Sequence, residues 1–133
     1  MAKTVHLAVE LAALPGDVFD AYLNPKLHAK ITGAPVVIAP RAGAKFEAFG
    51  GTLQGRILQV VPKQLVVQSW RSSMWKAADL DSTLVLNFMK QGRRGTLLEL
   101  THVNVPDHDF AGVSHGWEFY YWGPWKKFLE SRR

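Results

Sequence analysis

The histidine at position 102 is the side chain of this sequence best placed to do acid–base chemistry. His102 lies in "GTLLELTHVNV", a predicted strand in which it shares one face with Leu98, Leu100 and Asn104. An inward imidazole could orient a polar ligand group, or act as an acid or base near neutral pH. A hydrogen-bonded core histidine would produce the same pattern. The spacing therefore leaves a functional and a structural role open.

A second group of candidate side chains contains carboxylates and imidazoles. Asp107, His108 and Asp109 lie in "PDHDF", and His115 follows seven residues after His108. Such groups bind metal ions only where they converge in space, and loop polarity or helix capping explains the two aspartates without a metal. The sequence contains no cysteine, which excludes thiol nucleophiles and thiolate sites. Its serines lie in no recognisable nucleophile elbow. We expect no metal and no cofactor.

Aromatic residues are the stronger candidates for a binding site, because seven of them fall between Trp117 and Phe128. At about 100° per residue, Trp117, Tyr121, Trp125 and Phe128 share one face of a predicted amphipathic helix. The remaining faces are mostly polar or charged. Proline lacks an N–H, so the "GP" pair inside this segment predicts a kink. A core, a ligand-binding wall and a docking surface would all use such a helix.

Buried indole and phenol groups need hydrogen-bond partners, whereas Leu or Val would cover a sheet without that requirement. Their presence favours polar ligand groups or ordered water nearby, although core packing remains the alternative. Trp75, in a predicted loop, could gate an opening or cap the core. We predict that the ligand-binding residues are Trp70, His102, Trp117, Tyr121 and Trp125.

The elements that would position these residues follow from the pattern along the chain. "KTVHLAVEL" predicts a strand, and "LPGDVFDAYLNP" and "KLHAKITG" predict two short helices. From Ala34 onward, period-two runs separated by short turns predict six consecutive strands, with a hairpin at Gly50-Gly51. Consecutive strands joined by short turns form an antiparallel meander, so the fold is α+β. Polar groups on inward strand faces, such as Gln68, indicate a cavity between sheet and helix.

This order of elements resembles the helix-grip fold of START-related (SRPBCC) proteins. "LPGDVFDAYLNPKLHAKITGAP" is similar to the family's helix pair, and "GWEFYYWGPWKKFL" to its terminal helix. "GAKFEAFGGTLQGRILQVVPKQLVVQSWR" resembles its glycine turn, proline turn and Trp-Arg strand end. The sequence most resembles the family of activators of the 90-kDa heat-shock protein ATPase, C-terminal-domain type, from about Val5 to Leu129. The resemblance implies a single helix-grip domain over residues 1–133, with about seven curved antiparallel strands around a long kinked helix.

The resemblance implies three functions. The first is a non-enzymatic protein that binds a small hydrophobic or aromatic ligand, as many relatives in the superfamily do. The second is a co-chaperone that stimulates the 90-kDa chaperone in the stress response. The sequence begins at the helix-grip segment, so we expect it to lack the N-terminal domain with which two-domain members contact the chaperone. The third is a small cyclase- or hydrolase-like enzyme using His102.

The charge and hydropathy of the sequence argue against nucleic-acid and membrane partners. The net charge of +5 comes from scattered basic residues, with no basic stripe interleaved with aromatics, so we expect no nucleic acid. No apolar run is long enough to span a membrane, and the N-terminus does not resemble a signal peptide. The absence of cysteine suits a reducing compartment, and we expect a cytoplasmic location. Monomer and homodimer both remain open.

Overall fold

The computed structural model describes residues 2–131. Its elements follow the predicted order of one strand, two helices, six strands and a long C-terminal helix. The strands are β1 (Ala2–Leu11), β2 (Val36–Val37), β3 (Lys45–Ala48), β4 (Leu53–Val61), β5 (Leu65–Ser72), β6 (Ser82–Gln91) and β7 (Gly95–Pro106). The helices are α1 (Pro15–Leu23), α2 (Pro25–Thr32), α3 (Phe110–Gly116) and α4 (Gly123–Ser131). No helix within residues 2–131 is both long and apolar enough to cross a bilayer.

The seven strands form one antiparallel sheet in the order β1-β7-β6-β5-β4-β3-β2. Strands β2 to β7 run as a meander, and β1 joins its far edge beside β7. Side chains alternate between the two faces, so the paired residues Val66, Leu86 and Leu100 form a buried row across three strands. The curved sheet packs this face against the helices. The predicted α+β helix-grip fold is confirmed.

Two kinds of glycine shape the strands nearest the site. Gly50 and Gly51 adopt φ angles of 67° and 89° in the β3–β4 turn, a region that side chains disfavour. Gly55 serves a different purpose, because a Cβ atom there would lie 1.9 Å from the carbonyl oxygen of Ser69 on β5. The hairpin at Gly50-Gly51 is therefore confirmed, and Gly55 permits a close approach of β4 to β5.

Proline, asparagine and glycine residues set the ends of the two short helices. Proline occupies the first turn of α1 and of α2, where its missing N–H has no intrahelical partner to lose. Asn24 separates the helices, and its side-chain oxygen accepts two backbone N–H groups of α2 at 2.9 and 3.2 Å. Gly33 ends α2 with φ of 79°. These features match the predicted helix boundaries.

The C-terminal helix, residues 110–131, is continuous but changes geometry in its middle. Between α3 and α4 the residues Trp117–Trp122 form a π-helical turn, in which the N–H of Gly123 donates to the carbonyl of Glu118. Pro124 has no N–H to continue the α-helical ladder. The irregularity expected at Gly123-Pro124 thus takes the form of a wide turn that precedes this pair.

One inward position was predicted wrongly. Asn104 was placed on the face of His102, but its φ angle is +66° and it is half-buried. Its Nδ2 donates to the carbonyl of Asp81 at 3.2 Å, at the exposed end of β6. The β1–β7 pairing also shifts register here, between Lys3 and Val5. This irregularity breaks the two-residue alternation, so a face assignment carried past His102 fails.

Candidate ligand-binding site

A cavity of about 550 Å³ lies between the first half of the C-terminal helix, the β3–β4 turn and the end of β5. It is partly open to solvent. Most of its wall is aromatic or aliphatic, and the polar side chains Thr52, Ser72 and Asp109 interrupt it. The full lining consists of Phe49, Thr52, Leu53, Trp70, Ser72, Met74, Asp109, Gly112, Val113, Gly116, Trp117, Tyr120 and Tyr121.

The five predicted site residues divide into two groups. Trp70, Trp117 and Tyr121 all line the cavity, and their rings form a continuous wall, with Trp117 lying 6.3 Å from Trp70 and 4.8 Å from Tyr121 between ring centroids. His102 lies behind this wall, with its ring 4.7 Å from that of Trp70. Trp125 lies one turn further along the helix and is 1% exposed. Neither His102 nor Trp125 contributes to the lining.

Glycines keep the helix side of the cavity open. Gly112 and Gly116 are four residues apart, so they lie on the same face of α3, and both line the cavity. A Cβ atom on Gly116 would meet nothing closer than the Tyr120 ring at 3.9 Å. Glycine in a helix interior costs about 1 kcal/mol relative to alanine. The helix therefore carries two residues of low helix propensity at positions where side chains would otherwise reduce the space.

His102 belongs to a hydrogen-bonded chain behind the cavity wall. The indole Nε1–H of Trp117 donates to His102 Nδ1 at 3.2 Å. The Nε2 atom must then carry the proton, which it donates to Ser82 Oγ at 2.7 Å. Ser82 Oγ donates in turn to the carbonyl of Trp70 at 2.6 Å. The tautomer of His102 is fixed by these partners.

This arrangement does not favour acid–base catalysis by His102. Burial lowers the pKa of its imidazole to about 3, so the ring is neutral near pH 7. A serine nucleophile would donate its proton to the histidine, whereas here the histidine donates to Ser82. Both side chains are fully buried. The geometry supports a histidine that positions Trp117 and the start of β6.

A second polar network joins α1, α2 and the π-helical turn, and the sequence interpretation missed it. His28 Nδ1–H donates to the carbonyl of Tyr22 at 2.7 Å, so its Nε2 accepts the hydroxyl proton of Tyr121 at 2.8 Å. The hydroxyl of Tyr22 donates to Gln68 Oε1. Burial lowers the pKa of His28 to about 4 and raises the pKa values of Tyr22 and Tyr121. The available signal was the three-residue spacing of His28 and Ile31, the buried face of α2.

The loop between β5 and β6 borders the cavity through Met74. Trp75 is buried, its ring lies 5.6 Å from that of Trp70, and its Nε1–H donates to Asp109 Oδ2 at 2.7 Å. Arg71 holds the same loop by donating to the carbonyls of Lys76 and Asp79 at 2.5 and 2.6 Å. Trp75 therefore caps the core and ties the loop to the start of α3.

The acidic and histidine side chains around residue 108 diverge. Asp107 pairs with Lys3 at 3.1 Å, and His108 Nε2 lies 2.8 Å from Asp79, whose pKa is lowered mainly by that hydrogen bond. Asp109 accepts from Trp75 instead. Within residues 2–131, no three His, Asp or Glu side chains approach closely enough to hold a metal ion.

The rim of the cavity exposes large apolar side chains. Met74 is 81% exposed, Phe119 is 73% exposed and Tyr120 is 48% exposed. The ring of Tyr120 packs against Phe119 on one side and against Phe49 of the β3–β4 turn on the other. Met74, Phe119 and Tyr120 are called the rim below. Their exposed side chains remain available to a ligand or a protein partner.

Comparison with known proteins identifies the family. Residues 12–129 match the sequence model of the family described as "Activator of Hsp90 ATPase homolog 1-like protein". The chain is 27% identical over 116 residues to an activator of 90 kDa heat shock protein ATPase homolog from Dictyostelium discoideum, covering 87% of this chain and 30% of that protein. It is 25% identical to the human homolog 1, covering 80% of this chain and 31% of the relative. The chain thus spans about a third of the length of these relatives.

Solved structures share the fold at lower identity. An HSP90 activator from Plasmodium falciparum has a TM-score of 0.87 at 21% identity, with 96% of each chain covered. The Aha1 dimer from Colwellia psychrerythraea has a TM-score of 0.80 at 16% identity, again with 96% of each chain covered. At these identities the likeness establishes the helix-grip architecture.

Proposed function

The chain belongs to the Activator of Hsp90 ATPase homolog 1-like family, and on that premise we propose that it is a non-enzymatic protein that binds a small hydrophobic or aromatic ligand. The observation that carries the proposal is the aromatic cavity of about 550 Å³ beside α3. Small-molecule pockets are typically about 300–1,000 Å³, mostly apolar, with a few polar groups that fix orientation. Trp70, Trp117 and Tyr121 would form the wall against which the ligand packs.

The helix itself supports this function. Gly112 and Gly116 leave the cavity face of α3 without side chains. At Gly116, where a Cβ atom has room, alanine would make a more stable helix. The adjoining π-helical turn carries Trp117 and Tyr121, and such turns occur frequently at functional sites. His102 and Trp125 take supporting parts in this proposal, since one bonds to Trp117 and the other anchors α4.

Ligand binding can be tested with a matched pair of substitutions. Nile red fluorescence and native mass spectrometry of gently purified protein would report binding of an apolar probe and of a retained cellular ligand. Gly116→Leu places a branched side chain beside Tyr120 and should weaken Nile red binding by about tenfold or more. Gly116→Ala adds only a Cβ atom, which has room, and should bind as the wild type does.

Two results would contradict the proposal. One is wild-type protein that neither retains a ligand nor enhances Nile red fluorescence. The other is equal binding by the Gly116→Leu and wild-type proteins, since the probe would then lie outside the cavity. Thermal unfolding of both variants would show that any loss of binding does not come from loss of the fold.

A second candidate is a co-chaperone that binds the 90-kDa heat-shock chaperone and stimulates its ATPase. The names of the curated relatives and the exposed apolar rim favour it. The test is the ATPase rate of the chaperone from the same cell, with and without this protein. Phe119→Ser should reduce stimulation and spare Nile red binding, whereas Gly116→Leu should do the reverse. No binding and no rate change would rule the candidate out.

Either function is compatible with the cytoplasmic location that we propose for this cysteine-free chain.

A further inference from the structure

The cavity carries a single charged wall residue among the described residues that line it. That residue is Asp109, at the start of α3. The other polar side chains of the lining, Thr52 and Ser72, are neutral. The protein as a whole is basic, with a formal net charge of +5, so a negative wall group is not a consequence of composition.

The charge of Asp109 is held in place but not neutralised. Its Oδ2 accepts the Nε1–H of Trp75 at 2.7 Å, which holds the carboxylate in position. Its Oδ1 lies over Gly112, where a Cβ atom would come within 2.5 Å, so the absence of a side chain there leaves room for the carboxylate. Within residues 2–131, no Lys, Arg or His lies within ion-pair distance of Asp109. The nearby Lys3 pairs with Asp107 instead.

The rest of the wall also suits a cation. Trp70, Trp117 and Tyr121 present aromatic rings, whose faces attract positive charge, and Trp is the strongest ring for this contact. Trp75 connects the two features, because it donates to Asp109 while its ring lies 5.6 Å from the ring of Trp70. An aromatic wall with one uncompensated carboxylate is the arrangement that recognises an organic ammonium group.

We propose that the ligand of this cavity is an apolar molecule bearing an amine or quaternary ammonium group, held by the Asp109 carboxylate and by the faces of the Trp70 and Trp117 rings. This inference rests on the proposed ligand-binding function and specifies the ligand's chemical class. A neutral hydrophobic molecule would fill the same space but leave Asp109 without a counter-charge.

The test uses three probes of one shape. Benzyltrimethylammonium is cationic, neopentylbenzene is its neutral isostere, and phenylmethanesulfonate carries a negative charge on a similar frame. Each displaces Nile red from the wild-type protein and from two variants. Asp109→Asn removes the charge but keeps an oxygen that accepts from Trp75. Asp107→Asn makes the same charge change two residues away, on a side chain outside the cavity lining.

We expect the affinity for benzyltrimethylammonium to fall about tenfold in Asp109→Asn and less than about twofold in Asp107→Asn. The affinity for neopentylbenzene should stay within about twofold of wild type in both variants. Equal losses for the cation in the two variants, or an equal loss of the neutral probe in Asp109→Asn, would overturn the proposal.

A measurement on wild-type protein alone guards against misfolding of the variants. Phenylmethanesulfonate should bind at least about tenfold more weakly than benzyltrimethylammonium. Equal affinities would overturn the cation preference while leaving ligand binding intact. Failure of Nile red itself to bind would overturn both the inference and the function on which it rests.

Discussion

The two halves of the C-terminal helix use the same residue types for different purposes. In α4, Trp125 stacks on Tyr22 of α1, with ring centroids 6.3 Å apart, and is not part of the cavity lining. In the first half, Trp117 and Tyr121 form the wall of a cavity of about 550 Å³. The difference lies in their neighbours, because α3 presents glycines at positions 112 and 116 where a close-packed helix would present larger side chains. An aromatic stripe therefore indicates a core or a binding wall according to what lies beside it.

The largest effect is expected at the packed half. Trp125→Ala should lower the free energy of unfolding by about 3–5 kcal/mol, because it leaves a void beside Tyr22 and Trp122. Urea unfolding followed by circular dichroism would measure the change. Phe119→Ala is the matched control on the same helix, and since Phe119 is exposed its effect should stay within about 0.5 kcal/mol. Similar losses in the two variants would contradict the division between packed and open halves.

Acid should lower stability through His28 and His102, the buried histidines that bond to Tyr121 and Trp117. The pKa values of His28 and His102 in the folded protein are about 4 and about 3, below the unfolded value of 6.5, so the unfolded chain binds more protons in between. Stability is then fully present above pH 6.5 and falls as the pH drops towards 4. For His28 the total loss is about 3 kcal/mol, at about 1.4 kcal/mol per pH unit.

Substituting each histidine in turn would measure its own contribution to the pH dependence of stability. Each of His28→Gln and His102→Gln should reduce the slope of unfolding free energy against pH by about 1.4 kcal/mol per pH unit between pH 4 and 6. Urea unfolding at several pH values would give these slopes. A variant whose slope equals that of wild type would show that its histidine is not buried in the neutral form.

A smaller effect is expected where the halves meet. Tyr121→Phe removes the hydroxyl that donates to His28 Nε2 and leaves a buried acceptor unpaired, at a cost of about 1–3 kcal/mol. The ring that faces the cavity remains, so Nile red affinity should change less than about threefold. Tyr120→Phe is the control, since Tyr120 is exposed at the rim. A large loss of binding in Tyr121→Phe would mean that its hydroxyl, and not its ring, contacts the ligand.

The sequence predicts most of the fold because the signals are local. Pro15, Asn24 and Gly33 mark the ends of α1 and α2, and alternating residues with glycine turns mark the strands. Prediction failed where several residues act together. The positive φ of Asn104 breaks the alternation of β7, and the helix irregularity expected at Gly123-Pro124 lies instead in the π-helical turn Trp117–Trp122 before this pair. A rule based on spacing alone assumes regular geometry at such places.

The site was harder to predict than the fold, because a cavity is defined by side chains that are absent. Gly112 and Gly116 give no signal of a binding site in the sequence, where the neighbouring segment is rich in tryptophan and tyrosine. In the structure these glycines leave the space open. His28 and Ser82 lie far along the chain from Tyr121 and His102, so their pairing depends on packing that spacing does not encode. Because they are aromatic, Trp70, Trp117, Tyr121 and Trp125 were all predicted as site residues. Only the three-dimensional structure shows that the first three line the cavity and that Trp125 does not.

We propose that the first half of the C-terminal helix faces a space that takes an apolar ligand. A crystal of the protein soaked in iodobenzene tests it most directly, because anomalous scattering locates the iodine without reference to any binding curve. Apolar cavities in proteins take up such aromatic molecules. We expect one strong iodine peak in contact with Trp70, Trp117 and Tyr121. No peak there, with the three rings packed against one another and the space closed, would contradict it.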